Sequence, residues 1–314
     1  VPVNAMPTLY FLIGPTSVGK SELALEWAKS RGAEILYCDA FCVYRGMNIG
    51  TAKPDMAERS IVPHHGIDLV DVDKVFSVAD YVAEARRVVA DCAKRGVPLL
   101  VSGGSGFYLR SFFYPVLDET HVPDEVRASV VAIKESCGPE GLVAELNRLN
   151  PGGVAAIDLK NPRRVQNALE RCLATGKPLA ELQQAYHDMP APFPEYEKKL
   201  CLLSRAPEDL WTRIQLRTKK MLDAGLIDEV RSLRANGLER NVSAASSIGY
   251  REVLEWLDKG GSTDDLAERI SIDTRQLVKK QRSFFKNQLP PAHVVELLPG
   301  GSVPGGALAL FPQA

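Results

Sequence analysis

Residues Gly14-Pro15-Thr16-Ser17-Val18-Gly19-Lys20-Ser21 have the types and spacing of a phosphate-binding loop. In the pattern G-x-x-x-x-G-K-[ST], backbone N–H groups at a helix N-terminus meet phosphate oxygens. The lysine adds a point charge, and the hydroxyl ligates Mg²⁺. The pattern implies a phosphate without saying which one. Such a loop needs a strand to deliver it and a helix to follow it. Residues 9–13 form a short apolar run, and residues 22–28 have a helix-like composition, so strand, glycine loop and helix stand in the required order.

A second candidate for chemistry is Asp39, which ends the strand-like run 34–38. In an open α/β sheet, ligands gather at the carboxyl ends of the strands, which would bring Asp39 beside the loop. Asp also commonly caps a turn, and that reading stays open. Another buried strand is expected over 97–101, followed by Ser102-Gly103-Gly104-Ser105-Gly106. A nucleotide hydrolase or kinase would usually carry a Mg²⁺-holding aspartate after such a run. Ser102 stands there instead, which argues against ATP turnover.

The positioning elements follow a simple order. A short strand is expected over 67–70, then a helix opened by a capping box at Ser77 and Asp80 and stopped at Gly96. From about residue 118 to 196 strand-like runs give way to helical segments punctuated by Pro and Gly, expected to be an all-helical insertion. In it, Asn161-Pro162 starts a helix with Val165, Ala168, Leu169 and Cys172 on one face and Arg164, Asn167 and Arg171 on another. A strand is expected over 200–203 and a helix from Pro207. On that helix Arg217 interrupts the stripe Leu210, Ile214, Met221. A charge at such a place meets an anionic ligand or snorkels to water, and the periodicity allows both.

The last helix is expected from about Ser262 to Gln288. Leu266, Ile270, Leu277 and Phe284 fall on one side, with Arg275, Lys279, Arg282 and Lys286 opposite. Only Asp273 offsets the six basic residues between Arg269 and Lys286. On a chain of net charge −1 that local stripe points to a polyanion longer than a nucleotide, and nucleic acid fits. A final strand is expected over 293–298, and the Gly/Pro-rich residues 301–314 read as a loosely ordered tail.

Composition sets the limits. The chain has 314 residues, 45% hydrophobic and 25% charged, as in ordinary soluble globular proteins. No apolar run approaches a membrane span and no signal-peptide pattern precedes the first strand, so a cytoplasmic, non-membrane protein is expected. Residues 1–5 precede Met6 and are set aside as a leader or expression remnant. The six cysteines form no C-x-x-C pair, which favours buried free thiols. His64-His65 has no further ligands at useful spacing and is read as structural.

Taken together, several stretches resemble the tRNA dimethylallyltransferases, which prenylate the adenosine just 3′ of the anticodon. They are the loop 14–21, Asp39 with Val43 to Pro54, His64 to Asp68, Gly103 to Tyr108, Asn161 to Arg164 with Ala168 to Glu170, Ile248 to Arg251, and Thr274 to Leu277 with Lys279 to Gln281. The segment from Met47 to Pro54 is the most specific of them.

The resemblance implies an α/β fold: a P-loop-type parallel sheet core flanked by helices (6–117 and 197–300) with an all-helical insertion (118–196) for the anticodon stem-loop. It implies transfer of a dimethylallyl group from dimethylallyl diphosphate to the exocyclic amine of adenosine-37, in tRNAs reading codons that begin with U. Gly14, Thr16, Ser17, Val18, Gly19, Lys20, Ser21 and Arg217 would hold the diphosphate, and Ser21 would ligate Mg²⁺. Asp39 would be the general base, Ser105 would stand near the reacting carbon, and Arg217 would neutralise the leaving group. tRNA contact is implied for Asp39, Ala40, Phe41, Cys42, Arg163, Arg164, Asn167, Ser246, Ile248, Gly249, Tyr250, Arg251, Arg275, Lys279 and Arg282.

Two departures stand out. The family commonly reads Asp-Ser-x-Gln where this chain has Asp39-Ala40-Phe41-Cys42, and Ser105 replaces its usual threonine. The chain carries no zinc-finger-like extension, as in the bacterial type, and a monomer is expected. An adenylate prenyltransferase, a P-loop small-molecule kinase and an RNA-binding scaffold are the competing readings. The insertion and basic stripe count against the first, Ser102 against the second, and intact Lys20, Ser21, Asp39 and Arg217 against the third.

Overall fold

A computed structural model describes residues 6–115, 121–154, 157–298, 303 and 306–312. The chain divides into two compact units, one formed by Val1–Tyr114 with Pro192–Ala314, the other by Pro115–Ala191.

The first unit is built on six parallel strands: β1 (Thr8–Ile13), β2 (Glu34–Cys38), β3 (His64–His65), β4 (Leu99–Gly103), β5 (Glu197–Arg205) and β6 (His293–Leu297). Their order is β3-β2-β4-β1-β5-β6. The central strands read as nearly continuous apolar runs because helices cover both faces of a parallel sheet. Leu9, Phe11, Leu12, Ile13, Leu100 and Val101 are all at most 2% exposed. In the β2–β4 register Cys38 faces Gly103, and in the β1–β4 register Ile13 faces the same glycine. The loops after β1, β2 and β4 therefore leave the sheet side by side.

The helices in chain order are α1 (Lys20–Arg31), α2 (Met56–Ile61), α3 (Val78–Arg95), α4 (Gly106–Arg110), α5 (Asp124–Leu149), α6 (Pro162–Thr175), α7 (Leu179–His187), α8 (Pro207–Asp223), α9 (Leu226–Ala235), α10 (Val242–Ala245), α11 (Tyr250–Lys259) and α12 (Thr263–Gln288). Helix α3 carries the expected capping box at Ser77 and Asp80 and ends at Gly96. The second unit consists of α5, broken at Gly138-Pro139, with α6 and α7. It packs around Val130, Leu142, Leu146, Val165 and Leu169. Asn161 caps α6 and Pro162 is its first residue.

Four expectations need correction. No strand forms over 67–70, where only Val70 bridges to Tyr44. Asp68 there has φ 54, which an extended strand cannot hold, and its carboxylate instead joins Lys53 and Arg59 at 2.7 Å each. Strand β4 starts two residues late, after Pro98, and takes Ser102 inside it. The buried face of α12 is Leu266, Ile270, Val278 and Phe285, with Leu277 and Phe284 at its border. Finally, residues Ala307–Leu310 of the supposedly loose tail form a 3-10 helix. Ala307, Leu310 and Phe311 are buried, with the Phe311 ring edge-on to Tyr10 and Trp27. These apolar side chains outweigh the Gly/Pro composition that suggested looseness. Positions 301, 302, 304, 305, 313 and 314 of that tail, and 1–5, lie outside the described residues.

Candidate active site

The phosphate loop runs from the end of β1 into α1, where Gly19 is the N-cap in a left-handed conformation and no side chain caps the helix. The first-turn N–H groups of α1 are thus left without a side-chain acceptor, the arrangement that suits an anion. The Lys20 ammonium donates to the carbonyls of Gly14 and Pro15 at 2.8 Å each. Loss of water around the ammonium, with Arg217 nearby, pulls its pKa down to about 7, and Asp39 partly opposes this. A diphosphate in the loop would restore the charged form.

Three side chains distant in sequence brace the loop from outside. Arg205, 2% exposed at the end of β5, donates Nε to the Val18 carbonyl at 3.2 Å, and its Nη1 meets Asp209. Arg213 donates to the Ser17 carbonyl at 3.0 Å. Gln281 of α12 accepts from the Thr16 N–H at 2.9 Å and donates to the Gly104 carbonyl at 3.1 Å, joining the loops after β1 and β4. None of the three was singled out as a site residue from sequence. Gln281 lay in a quoted motif, and Arg213 stands one helical turn before Arg217, so both signals were present.

Asp39 follows β2 on the same edge. Its Oδ1 accepts the N–H groups of Phe41 at 2.8 Å and Cys42 at 3.2 Å, so the turn-capping reading and the site reading hold together. Both of these N–H groups go to Oδ1 and neither to Oδ2. Ser105, after β4, donates its N–H to the Cys38 carbonyl at 3.1 Å and its Oγ accepts from the Ala40 N–H at 2.9 Å. Gly103 is required here: a Cβ on it would lie 2.1 Å from the Cys38 carbonyl oxygen.

Arg217 turns its guanidinium inward instead of snorkelling. Nη1 lies 3.4 Å from Thr16 Oγ1 and Nη2 lies 3.5 Å from the Thr51 carbonyl. Burial lowers its pKa while Asp39, the largest opposing influence, raises it.

Two cavities meet at this arginine. A cleft of about 870 Å³ is lined by Ser17, Gly19, Lys20, Ser21, Ile49 and Arg217, among others. A smaller cavity of about 100 Å³ is lined by Thr16, Asp39, Phe41, Gly50, Thr51, Arg217, Ile248 and Tyr250, among others. The phosphate-binding face opens into the first, and the carboxylate lines the second. The Ser21 hydroxyl, in the first turn of α1 and on the cleft wall, suits a Mg²⁺ ion whose other ligands are phosphate oxygens and water.

A sequence profile described as IPP transferase matches residues 42–288. A tRNA dimethylallyltransferase of Opitutus terrae is 50% identical over 284 residues, spanning 90% of this chain and 91% of its own. The chain belongs to the tRNA dimethylallyltransferase family. Another tRNA dimethylallyltransferase, from Rhodococcus jostii, is 40% identical over 89% of each chain. The crystal structure of the tRNA isopentenylpyrophosphate transferase from Bacillus halodurans superposes with TM-score 0.65 at 30% identity, covering 92% of this chain and 89% of that one.

The remaining family-implied residues are placed as follows. Phe41 is half-buried and Cys42 is buried, where loss of solvent pushes its thiol pKa up. Ser246 is exposed, Ile248 is half-buried, and Gly249 and Tyr250 are buried. Arg251 pairs with Glu252 and Asp273. Arg275 lies 5.0 Å over the Trp211 ring and Lys279 is exposed. Arg282 leaves the expected stripe in part, being half-buried and donating to the Arg205 carbonyl at 2.8 Å. In the second unit Arg163, Arg164 and Asn167 are exposed on α6.

Elsewhere His65 Nε2 sits 2.7 Å from Glu34, whose two oxygens also take the Arg95 guanidinium at 2.6 and 2.8 Å. With Cys92 these form, among the described residues, the one grouping of three potential metal ligands. Arg95 already neutralises its carboxylate, as expected of a structural cluster. No described helix is long and apolar enough to cross a membrane.

Proposed function

We propose that the protein transfers the dimethylallyl group of dimethylallyl diphosphate to the exocyclic amine of adenosine-37, just 3′ of the anticodon, in tRNAs reading codons that begin with U. It does so as a cytoplasmic monomer using Mg²⁺. The observation that carries this reading is that Asp39 and the phosphate loop stand at the carboxyl end of the sheet, with Arg217 bonded to Thr16 of the loop and lining the same cavity as Asp39.

The diphosphate would lie across the N–H groups at the start of α1, against Lys20 and Arg217. The Ser21 hydroxyl would help hold Mg²⁺, which would offset the negative charge that develops on the leaving diphosphate. The amine nitrogen attacks the allylic C1, the C1–O bond breaks, and its electron pair leaves with the diphosphate. The amine proton passes to Asp39 Oδ2, while Oδ1 stays fixed by two N–H groups. Cations placed where charge develops are the main source of rate in such a site. Adenine must leave the anticodon-loop stack to reach Asp39. Arg163, Arg164 and Asn167 on α6, and Arg275 and Lys279 on α12, offer exposed donors to an RNA backbone.

The test is incubation with labelled dimethylallyl diphosphate and either unmodified tRNA or AMP, followed by digestion to nucleosides. Label should appear only in tRNA, as the N6-dimethylallyl nucleoside. Label in AMP alone, or phosphoryl transfer from ATP without prenyl transfer, would refute the proposal.

A further inference from the structure

The two cavities are separated by a thin wall of chain. Ile49 and Ala52 face the larger one, while Gly50 and Thr51 face the smaller. Within the segment the Thr51 hydroxyl donates to the Met47 carbonyl at 2.7 Å, while the Asn48 and Ala52 side chains are exposed and Gly50 has none.

Its backbone closes turns on itself, through the Asn48, Ala52 and Lys53 N–H groups to the Gly46, Ile49 and Asn48 carbonyls, and a single carboxylate from another element takes three of its N–H groups. Glu229, on α9, accepts from Asn48 N–H at 3.0 Å and Ile49 N–H at 2.7 Å through Oε2. Through Oε1 it accepts from Gly50 N–H at 3.2 Å and the Tyr250 hydroxyl at 2.6 Å. Four donors fill the capacity of a carboxylate, and bonds to a charged acceptor are about twice as strong as neutral ones. Three consecutive N–H groups on one anion fix the direction of the peptide planes between them. The opposite side is fixed by packing, because a Cβ on Gly50 would lie 2.4 Å from the Tyr250 ring. The next residue, Thr51, presents its carbonyl to Arg217 at 3.5 Å.

Glu229 itself lines neither cavity. It lies on a third, polar one of about 620 Å³ with Arg45, Asn48 and Asn236.

We propose that Glu229 is a positioning residue: it clamps residues 48–50 against Tyr250, and so sets the Thr51 carbonyl that orients Arg217 between the two substrate cavities. This rests on the reading of Arg217 as the group facing the departing diphosphate. Glu229→Gln replaces one acceptor oxygen with an NH2 donor, which opposes a backbone N–H at either position because each oxygen accepts at least one. The wall then shifts, and displacement of about 1 Å at a reacting centre costs on the order of 10²-fold in rate.

The experiment compares the wild type with Glu229→Gln, Glu229→Asp and Tyr250→Phe, all checked for folding by circular dichroism and melting. Two quantities are read: steady-state transfer to unmodified tRNA, and binding of inorganic diphosphate by calorimetry. For Glu229→Gln we expect kcat to fall about 10- to 100-fold with the tRNA KM within about twofold, and diphosphate affinity to fall about tenfold. Glu229→Asp should recover part of the loss, and Tyr250→Phe, which keeps the ring, should lose about three- to tenfold in kcat.

A folded Glu229→Gln protein with wild-type kcat, or a loss confined to the tRNA KM, overturns the inference. If that variant does not fold, Tyr250→Phe decides, and wild-type kcat there overturns it equally. Should the wild type transfer no prenyl group, the proposed activity fails. The diphosphate arm still tests the clamp, and equal affinities in wild type and variant would then refute it.

Discussion

Replacing Gly103 with Ala tests whether the strand ends hold the chemistry in register. The added methyl would sit 2.1 Å from the Cys38 carbonyl oxygen, where ordinary contact begins near 3.4 Å, so β2 and β4 must part locally by about 1.3 Å. The obstacle is backbone, with no side chain that can swing away. That same carbonyl accepts the Ser105 N–H, and the residue after Cys38 is Asp39. The strain therefore falls on Asp39 and Ser105, the two groups that the proposed function sets beside the reacting carbon. Overpacking of this kind costs about 1–3 kcal/mol of stability, tolerable for a chain with a large apolar core. A shift near 1 Å in the base costs on the order of 10²-fold in turnover. Single-turnover transfer to tRNA, with melting curves in parallel, should show a rate lowered about 100-fold in a protein still folded at the assay temperature. A folded Gly103→Ala enzyme with the wild-type rate would refute this account of how the strand ends position Asp39.

Three further outcomes are expected. The Arg95 guanidinium, bonded to both oxygens of Glu34, holds that carboxyl at about 2, below its usual 4.5. A depressed carboxyl stabilises the fold above its unfolded pKa, so this contribution is complete above about pH 5 and is lost as pH falls toward 2. Allowing for screening by solvent it amounts to on the order of 1–2 kcal/mol. The stability gap between wild type and Glu34→Gln should shrink across that range, and a gap independent of pH would count against the pairing. Neutralising Arg275 and Lys279 together should weaken tRNA binding and reduce the slope of log K against log salt by about 1.5; an unchanged slope would remove these residues from the RNA surface. Gln281→Leu leaves the Thr16 N–H and the Gly104 carbonyl without their partner. It should cost about 1–3 kcal/mol in thermal stability and raise the KM for dimethylallyl diphosphate, and neither change would appear if the bridge were incidental.

Much of the site was legible because its residues follow strands directly. The apolar run before Gly14, and Asp39 and Ser105 after their strands, are placed by the rule that parallel strands deliver ligands at their carboxyl ends. Arg217 could be located by period but not oriented: whether it snorkels depends on Thr16 and Thr51, far away in sequence. The same limit hid Arg205, whose bonds to the Val18 and Leu298 carbonyls are ones that no side-chain pattern records. The strand expected over 67–70 failed on a local fact, the left-handed Asp68, which is fixed by Lys53 and Arg59 and not by its neighbours. On α12 the periodicity gave the helix but rotated its buried face by about one residue. The face is decided by what packs on it, and Phe284 is drawn to the space above Gly106 while Phe285 enters the core.

The central claim is that Asp39 takes the amine proton and does not serve merely to hold RNA. Single-turnover transfer by Asp39→Asn, measured beside its equilibrium affinities for tRNA and for diphosphate, tests this most directly. Asn keeps an oxygen for the N–H groups of Phe41 and Cys42 but cannot accept the proton at neutral pH. The rate should fall by about 10²–10⁴-fold with both affinities within about threefold of wild type. Near-normal transfer at saturating tRNA, with the loss confined to tRNA affinity, would contradict the claim.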